Sequence, residues 1–313
     1  MSATALLIGG RGFVGSRLTP VLVERGFRMV CVEPTATNLG RLTPWADHVD
    51  LVTGSVADLD AIAEIVGRVK PDLIVNLAFA RGLGIAGELD VMARGTWNVL
   101  EAAVAGGCRR VVLASSVRVY GPQRAHGLDT LLNEDSPVKP ILRYGHYKYL
   151  GEQVAADYRR KHGLEAAALR IPMAYGPGVR EGAYGVCVPA LAAATGDSMT
   201  LPYDGAATLC LAHVGEVARA LADLGDPAVA PPQHGVYELG GHMVTYSEMV
   251  EVAAALVDTP VDVRFAPEPR ATEYDFAYRL DNRRLADEYG FEHRSLGDGY
   301  QSIIDHVRTE VTP

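Results

Sequence analysis

An apolar run that ends in spaced glycines constrains this chain more than any other segment. Leu6-Leu7-Ile8 leads into Gly9-Gly10-Arg11-Gly12-Phe13-Val14-Gly15, with a helical pattern beyond. Gly9 permits a tight strand-to-helix turn, Gly12 lets a ligand approach the backbone, and Gly15 lets the helix pack closely on the strand. The N–H groups that open the helix, around Phe13 and Val14, add the favourable end of the helix dipole. After a first strand, this combination reads as a loop for the pyrophosphate of a dinucleotide.

The second strand-like run ends at Glu33, eighteen positions after Gly15. A carboxylate there binds both ribose hydroxyls and repels a 2′-phosphate, so NAD is expected rather than NADP. Arg11 and Arg41 weigh the other way, because an arginine near the ribose accepts that phosphate.

The loop is the start of a longer alternation. Ala5–Ile8, Met29–Glu33, Val49–Thr53, Leu73–Leu77, Val111–Ser115 and Ala166–Arg170 are short β-branched or apolar runs. Helical stretches near Val14–Arg25, Leu59–Arg68, Leu89–Ala105 and Tyr144–His162 lie between them. Continuously apolar strands separated by helices predict an α/β fold: a doubly wound parallel (Rossmann) sheet with ligands at the carboxyl ends of its strands. After Arg170 the elements shorten and Gly-Pro turns such as Gly176-Pro177-Gly178 intervene. The expected division is a cofactor-binding domain over 1–171 and a smaller, mainly substrate-binding lobe over 172–313, with segments that cross back to the main sheet.

Tyr144-Gly-His-Tyr-Lys148 places a phenol and an ammonium four residues apart, on one face of a helix. A phenol titrates near ~10 and a nearby cation lowers that value. Such a pair moves a proton to or from an alcohol oxygen that a serine, here in Ser115-Ser116, also holds. On its own the spacing is equally that of an exposed helix face.

Composition narrows the partners. A net charge of −9 and a pI near 5.5 disfavour nucleic acid and anionic membranes. The apolar N-terminus is too short to span a bilayer and reads as a strand rather than a signal peptide. Cys31, Cys108, Cys187 and Cys210 are scattered without Cys-x-x-Cys spacing, as expected of reduced, mostly buried thiols in a cytoplasmic protein. No ligand spacing among the histidines points to a metal site.

Together these segments resemble the extended short-chain dehydrogenase/reductase family, which includes the NAD-dependent epimerases and dehydratases. Asn76-Leu77-Ala78, Gly95-Thr96-Trp97-Asn98-Val99-Leu100-Glu101-Ala102, Ser115-Ser116-Val117-Arg118-Val119-Tyr120-Gly121 and Arg170 through Pro177 follow that family's motifs in order. The resemblance makes Tyr144 the acid/base, Lys148 the residue that lowers its pKa and holds the nicotinamide ribose, and Ser116 the group that orients the reacting oxygen. It places Ala78 along the cofactor groove and Glu152 in its usual position after the lysine. It also implies a homodimer formed through Leu89–Ala105 and Tyr144–His162. Tyr120 reads equally as a substrate contact or a core tyrosine.

Departures from the family pattern bear on the substrate. Ser55 stands where an aspartate usually lies near the adenine, and Met92 replaces a frequent asparagine. Val117 and Arg118 replace the acidic pair of the 4,6-dehydratases, and elimination of water needs a second acid/base; dehydration is therefore disfavoured. Leu209 replaces an arginine that clamps a nucleotide diphosphate, which leaves Arg180, Arg264, Arg270 or Arg279 to supply charge. The expected activity is NAD-dependent hydride transfer at a secondary alcohol or ketone of a small polar substrate, sugar-acid or hydroxy-acid in type. The alternative is a nucleotide-sugar epimerase using the same Ser/Tyr/Lys centre, and a third possibility is a cofactor-binding sensor on the same fold.

Overall fold

A computed structural model describes residues 3–35, 37–80, 82–179, 185–269 and 277–311. Arg180 and Arg270 lie outside the described residues. The elements, in chain order, are β1 (Thr4–Ile8), α1 (Gly15–Glu24), β2 (Arg28–Glu33), β3 (Val49–Thr53), α2 (Leu59–Val69) and β4 (Leu73–Asn76). Then come α3 (Gly84–Leu89), a π-helical turn (Asp90–Arg94) that runs into α4 (Gly95–Ala105), β5 (Arg110–Ser116), α5 (Arg143–His162) and β6 (Glu165–Ile171). The remainder comprises β7 (Met173–Tyr175), α6 (Val188–Thr195), β8 (Met199–Leu201), β9 (Thr208–His213), α7 (Val214–Gly225), β10 (Val236–Glu238), β11 (His242–Thr245), α8 (Tyr246–Ala254), β12 (Val263–Phe265), α9 (Arg283–Tyr289) and α10 (Leu296–Val311).

Among the described residues, seven strands form one parallel sheet in the order β10-β6-β5-β4-β1-β2-β3. Its strands are apolar on both faces because both are covered. Leu7, Cys31, Val75, Val112 and Leu169 face one core, shared with Leu18 and Leu22 of α1 and Val217 and Leu221 of α7. Leu6, Val30, Ile74, Val111 and Ala168 face the other, shared with Ile62 of α2, Val99 of α4 and Ala155 of α5. Each fully buried Leu, Ile or Val contributes about 1.5–3 kcal/mol, which makes the alternation strongly specified.

The chain beyond Ile171 is not confined to a separate lobe. β10 pairs in parallel with β6, and α7 packs on the same face as α1. A small sheet β11-β9-β7 and the pair β12-β8 enclose a further core with Tyr175, Leu209, Leu211, Tyr246 and Tyr300. No helix among the described residues is long and apolar enough to cross a membrane. All four cysteines are unbridged and buried.

Candidate active site

The strand order reverses between β1 and β4, and the glycine loop sits at that reversal. Gly9 has φ +81°; its N–H donates to the Val32 carbonyl at 3.2 Å and its own carbonyl accepts the Gly12 N–H at 3.1 Å. A Cβ on Gly15 would stand 2.5 Å from the Gly9 carbonyl oxygen and 2.7 Å from Gly10 Cα, so α1 reaches the loop only because this residue is glycine. Val14 occupies the N-cap of α1, and no side chain caps that end. The Ser16 and Arg17 N–H groups bond the Gly12 and Val14 carbonyls at 3.0 Å, so the attraction for an anion lies in the dipole and the backbone that precedes them.

Glu33 closes β2 and is buried; its Oε1 accepts the Arg11 N–H at 2.8 Å. The Arg11 guanidinium donates to the carbonyls of Thr35 (2.6 Å) and Asn38 (3.0 Å), which fastens it to the loop after β2, and Arg41 is exposed. Ala78 donates its N–H to Asn76 Oδ1 at 3.0 Å just past the end of β4. Ser55 Oγ accepts the Ala57 N–H at 3.2 Å and so serves its own turn. An uncapped helix N-terminus, a glycine loop that packs directly on that helix and an acid at the end of the second strand fit NAD.

Tyr144 lies in the first turn of α5, with Lys148 and Glu152 one and two turns further on the same face. Ser116 ends β5. Its Oγ accepts the Arg118 N–H at 3.2 Å and so caps the 3₁₀ turn Val117–Tyr120. A Cβ on Gly145 would meet the Arg118 carbonyl oxygen at 2.5 Å, so the start of α5 packs directly on that turn. The structure therefore brings Ser116, Tyr144 and Lys148 together from β5 and α5.

Burial pushes the Tyr144 phenol above its ordinary value, while a hydrogen bond with Ser116 and the charge of Arg118 pull it down. Lys148 Nζ donates to the Ala114 carbonyl at 2.7 Å and lies 5.6 Å from the Tyr144 ring centroid. Burial lowers the Lys148 ammonium to about 8, opposed by the charge of Glu152. Sequence reasoning assigns the cation beside the phenol to Lys148; the charge of Arg118 acts on it as well. Arg118 Nη1 lies 3.3 Å from the Tyr278 hydroxyl, and its guanidinium is 5.9 Å from the centre of that ring. Phe79 packs edge-on against Tyr144 at 5.7 Å between centroids.

Behind this trio runs a buried charged chain. Glu152 takes two bonds from Arg170, at 3.0 and 2.7 Å, and accepts the Ser115 hydroxyl. Arg170 Nη1 also lies 2.9 Å from the Tyr120 hydroxyl, which donates to Glu238 Oε2 at 2.9 Å. Tyr120 is thus a core tyrosine. Glu238 is fully buried on β10, and burial raises its carboxyl to about 8. Sequence reasoning missed Glu238, Arg118 as a neighbour of the phenol, and Tyr278. The turn signal Gly240-Gly241 marked the vicinity of Glu238, but nothing marked its burial.

Leu209 lies buried in the smaller core opposite Val244 and presents no charge. Arg264 is bonded to Asp262 on the surface, and Arg279 faces Asp129 at 3.7 Å. Met92 is buried with Ala93 and Tyr147, a packing role. Among the described residues no cluster of potential ligands could hold a metal ion.

The sequence model of the NAD dependent epimerase/dehydratase family matches residues 5–240, and the chain belongs to that family. The UDP-glucose 4-epimerase of Mycolicibacterium smegmatis is 26% identical over 97% of this chain and 98% of its own length. The dTDP-glucose 4,6-dehydratase of Streptomyces niveus is 29% identical over 97% of this chain and 92% of its own. A UDP-glucose 4-epimerase of Thermus thermophilus, solved with NAD, has the same fold, with a TM-score of 0.80 and 23% identity over 98% of this chain and 100% of that one. The chain is accordingly an enzyme of an NAD-dependent family.

Proposed function

We propose that this protein is an NAD-dependent nucleotide-sugar epimerase whose acid/base centre is Ser116, Tyr144 and Lys148. The observation that carries the reading is the full-length similarity to a UDP-glucose 4-epimerase in a chain that keeps that trio together. It displaces the expectation of net oxidation or reduction of a small hydroxy acid, which the relatives support less well. A pure sensor role is disfavoured by the intact trio.

NAD, when bound in the crevice between β1 and β4, would accept the hydride from the sugar carbon and return it to the opposite face of the ketone. Gly9, Gly12, Phe13, Val14 and Gly15 would hold the pyrophosphate, Glu33 the ribose hydroxyls, and Ala78 the wall beyond β4. Ser116 orients the reacting hydroxyl. Tyr144 removes its proton and later returns it to the carbonyl oxygen from the opposite presentation of the sugar. Lys148 contributes positive charge below its pKa and would hold the nicotinamide ribose. Val117, buried, and Arg118, basic, offer no second acid for loss of water, which favours epimerisation over dehydration.

Residues 172–313 would supply most of the substrate lobe, while β10 joins the main sheet and α7 packs on it. Leu89, Trp97 and Leu150 are exposed apolar side chains on α3, α4 and α5, which supports a homodimer through those helices. Incubation with UDP-glucose and related nucleotide sugars, followed by NMR and by nicotinamide absorbance, tests the assignment. Interconversion of two sugars without net absorbance change is expected. Stoichiometric reduction of added NAD would instead indicate a dehydrogenase.

A further inference from the structure

A phenol that takes a proton from a sugar oxygen and later gives one back needs both of its forms within reach. At Tyr144 the Ser116 hydrogen bond and the charge of Arg118 favour the phenolate, and the Lys148 ammonium lies over the ring. Burial opposes them, and the neighbours of the ring show where it comes from. Tyr144 packs against the buried Met92, Ala93 and Tyr147. Phe79 adds a further contact, edge-on at 5.7 Å between centroids and 80° between planes. Phe79 differs from those core residues in being 59% exposed, so its ring does little for the interior. Its backbone is nevertheless fixed: the Ala78 N–H bonds Asn76 Oδ1 at the end of β4, and Ala80 is buried. Two links tie the segment beyond β4 to the first turn of α5. One is Phe79 on Tyr144; the other is Glu88 Oε2, 3.5 Å from Arg143 Nη2. The phenyl ring thus stands where the strand end and the helix start together put it.

We propose that Phe79 is a positioning residue: it holds the ring of Tyr144 and keeps water from it, so that the phenol that takes the sugar's proton can also return it. The inference rests on the acid/base role given to Tyr144 in the epimerase reading above. A phenyl ring offers no hydrogen-bond proton to a phenolate, and the water it displaces cannot solvate the charge, so the neutral phenol gains. An edge-to-face pair also fixes the orientation of the ring. A shift of about 1 Å in a reacting group costs on the order of a hundredfold in rate. Phe79 is therefore the counterweight to Arg118 and Lys148. Without it the phenolate is favoured, proton removal begins at lower pH, and the hydroxyl is less well aimed.

The NAD-loaded wild type, Phe79→Ala and Phe79→Leu are to be compared in two assays. In the first, without substrate, tetranitromethane labels tyrosines and peptide mass spectrometry reads the rate at Tyr144. F79A should label there about tenfold faster, the effect of one unit in the phenol's pKa, and as the wild type does at the other tyrosines. In the second, UDP-glucose is turned over across a range of pH. F79A should lose about ten- to a hundredfold in kcat with KM within about twofold, and its rise of kcat with pH should begin at lower pH. F79L, which restores bulk without the edge-on ring, should recover the pH profile and part of the rate. The thermal midpoint of each variant should stay within about 2 °C of the wild type, since a single aromatic pair is lost. Labelling of Tyr144 at the wild-type rate overturns the inference, and so does an unmoved pH profile. A melting loss well beyond that range would make Phe79 a structural residue and overturn it as well. If the wild type turns over no nucleotide sugar, the epimerase reading falls by itself and the labelling rates still decide the inference.

Discussion

Replacing Glu152 with glutamine should expose how the catalytic lysine depends on a charge buried behind it. Glu152 and Arg170 form an ion pair whose side chains are 1% and 3% exposed. Removing one partner of such a pair typically costs about 3–5 kcal/mol, because the other charge stays buried. A chain of 313 residues unfolds with about 2.1 cal/mol/K per residue, so each kcal/mol moves the midpoint by about 1.5 °C and the variant should melt ~5–8 °C lower. The loss should depend on pH, because Glu238 also faces Arg170. In the wild type Glu238 titrates at about 8 when folded, against 4.5 ordinarily, so it binds its proton more tightly in the folded state and stability falls as pH rises between those values. Without Glu152, Glu238 becomes the counter-ion of Arg170 and its folded pKa drops. The penalty of E152Q should therefore shrink as pH rises from about 5 to 8, and the added change Glu238→Gln should abolish that recovery. Thermal unfolding by circular dichroism across this range is the assay. In parallel, the Lys148 limb of the kcat–pH profile should move below about 8, since Glu152 is what holds that ammonium up. A midpoint within about 1 °C of the wild type at every pH, with an unmoved limb, would refute the reasoning.

Other perturbations separate cofactor binding from chemistry. Tyr144→Phe should lower kcat by about 10²–10⁴-fold, the range of general acid–base catalysis, while NAD affinity measured by fluorescence titration stays close to the wild type. Gly15→Ala should weaken NAD binding by about tenfold or more, since the new methyl would stand 2.5 Å from the Gly9 carbonyl; unchanged affinity would show that the loop relaxes freely. Glu33→Ala should reduce the preference for NAD over NADP, read as the ratio of the two dissociation constants.

The half of the fold that carries the cofactor was legible because each of its strands is long enough to show a pattern. All six sheet strands before residue 172 coincide with apolar runs to within one or two residues. Met92 and its neighbours read simply as helix, and the π-helical turn at Asp90–Arg94 leaves no trace in periodicity. β7, β8, β10 and β12 have three residues each, too few for any alternation to emerge. β10 nevertheless joins the main sheet and carries Glu238 into its interior. A glutamate beside a Gly-Gly turn reads as solvent-facing, since charged side chains are rarely buried without partners. The partners, Tyr120 and Arg170, lie 118 and 68 positions earlier in the chain. No local signal can join residues so far apart; only the topology does.

The charges around Tyr144 form two layers with different consequences for its chemistry. The inner layer, Arg118 and Lys148, borders the phenol, and burial alone holds that phenol above its ordinary value. The outer layer, Glu152, Arg170, Tyr120 and Glu238, is joined by its own hydrogen bonds, and it bears on the charge of Lys148 through Glu152. Lys148 loses its proton above about 8, and with it the cation lying over the Tyr144 ring, whereas Arg118 stays charged throughout. The Ser116 hydrogen bond and the charge of Arg118 oppose the effect of burial on the phenol, while Lys148 holds a charge over its ring only below about 8. Activity limited by proton removal should thus rise with pH only until Lys148 titrates. A profile for Lys148→Met that lacks the alkaline fall but keeps the dependence on Arg118 would separate the two contributions.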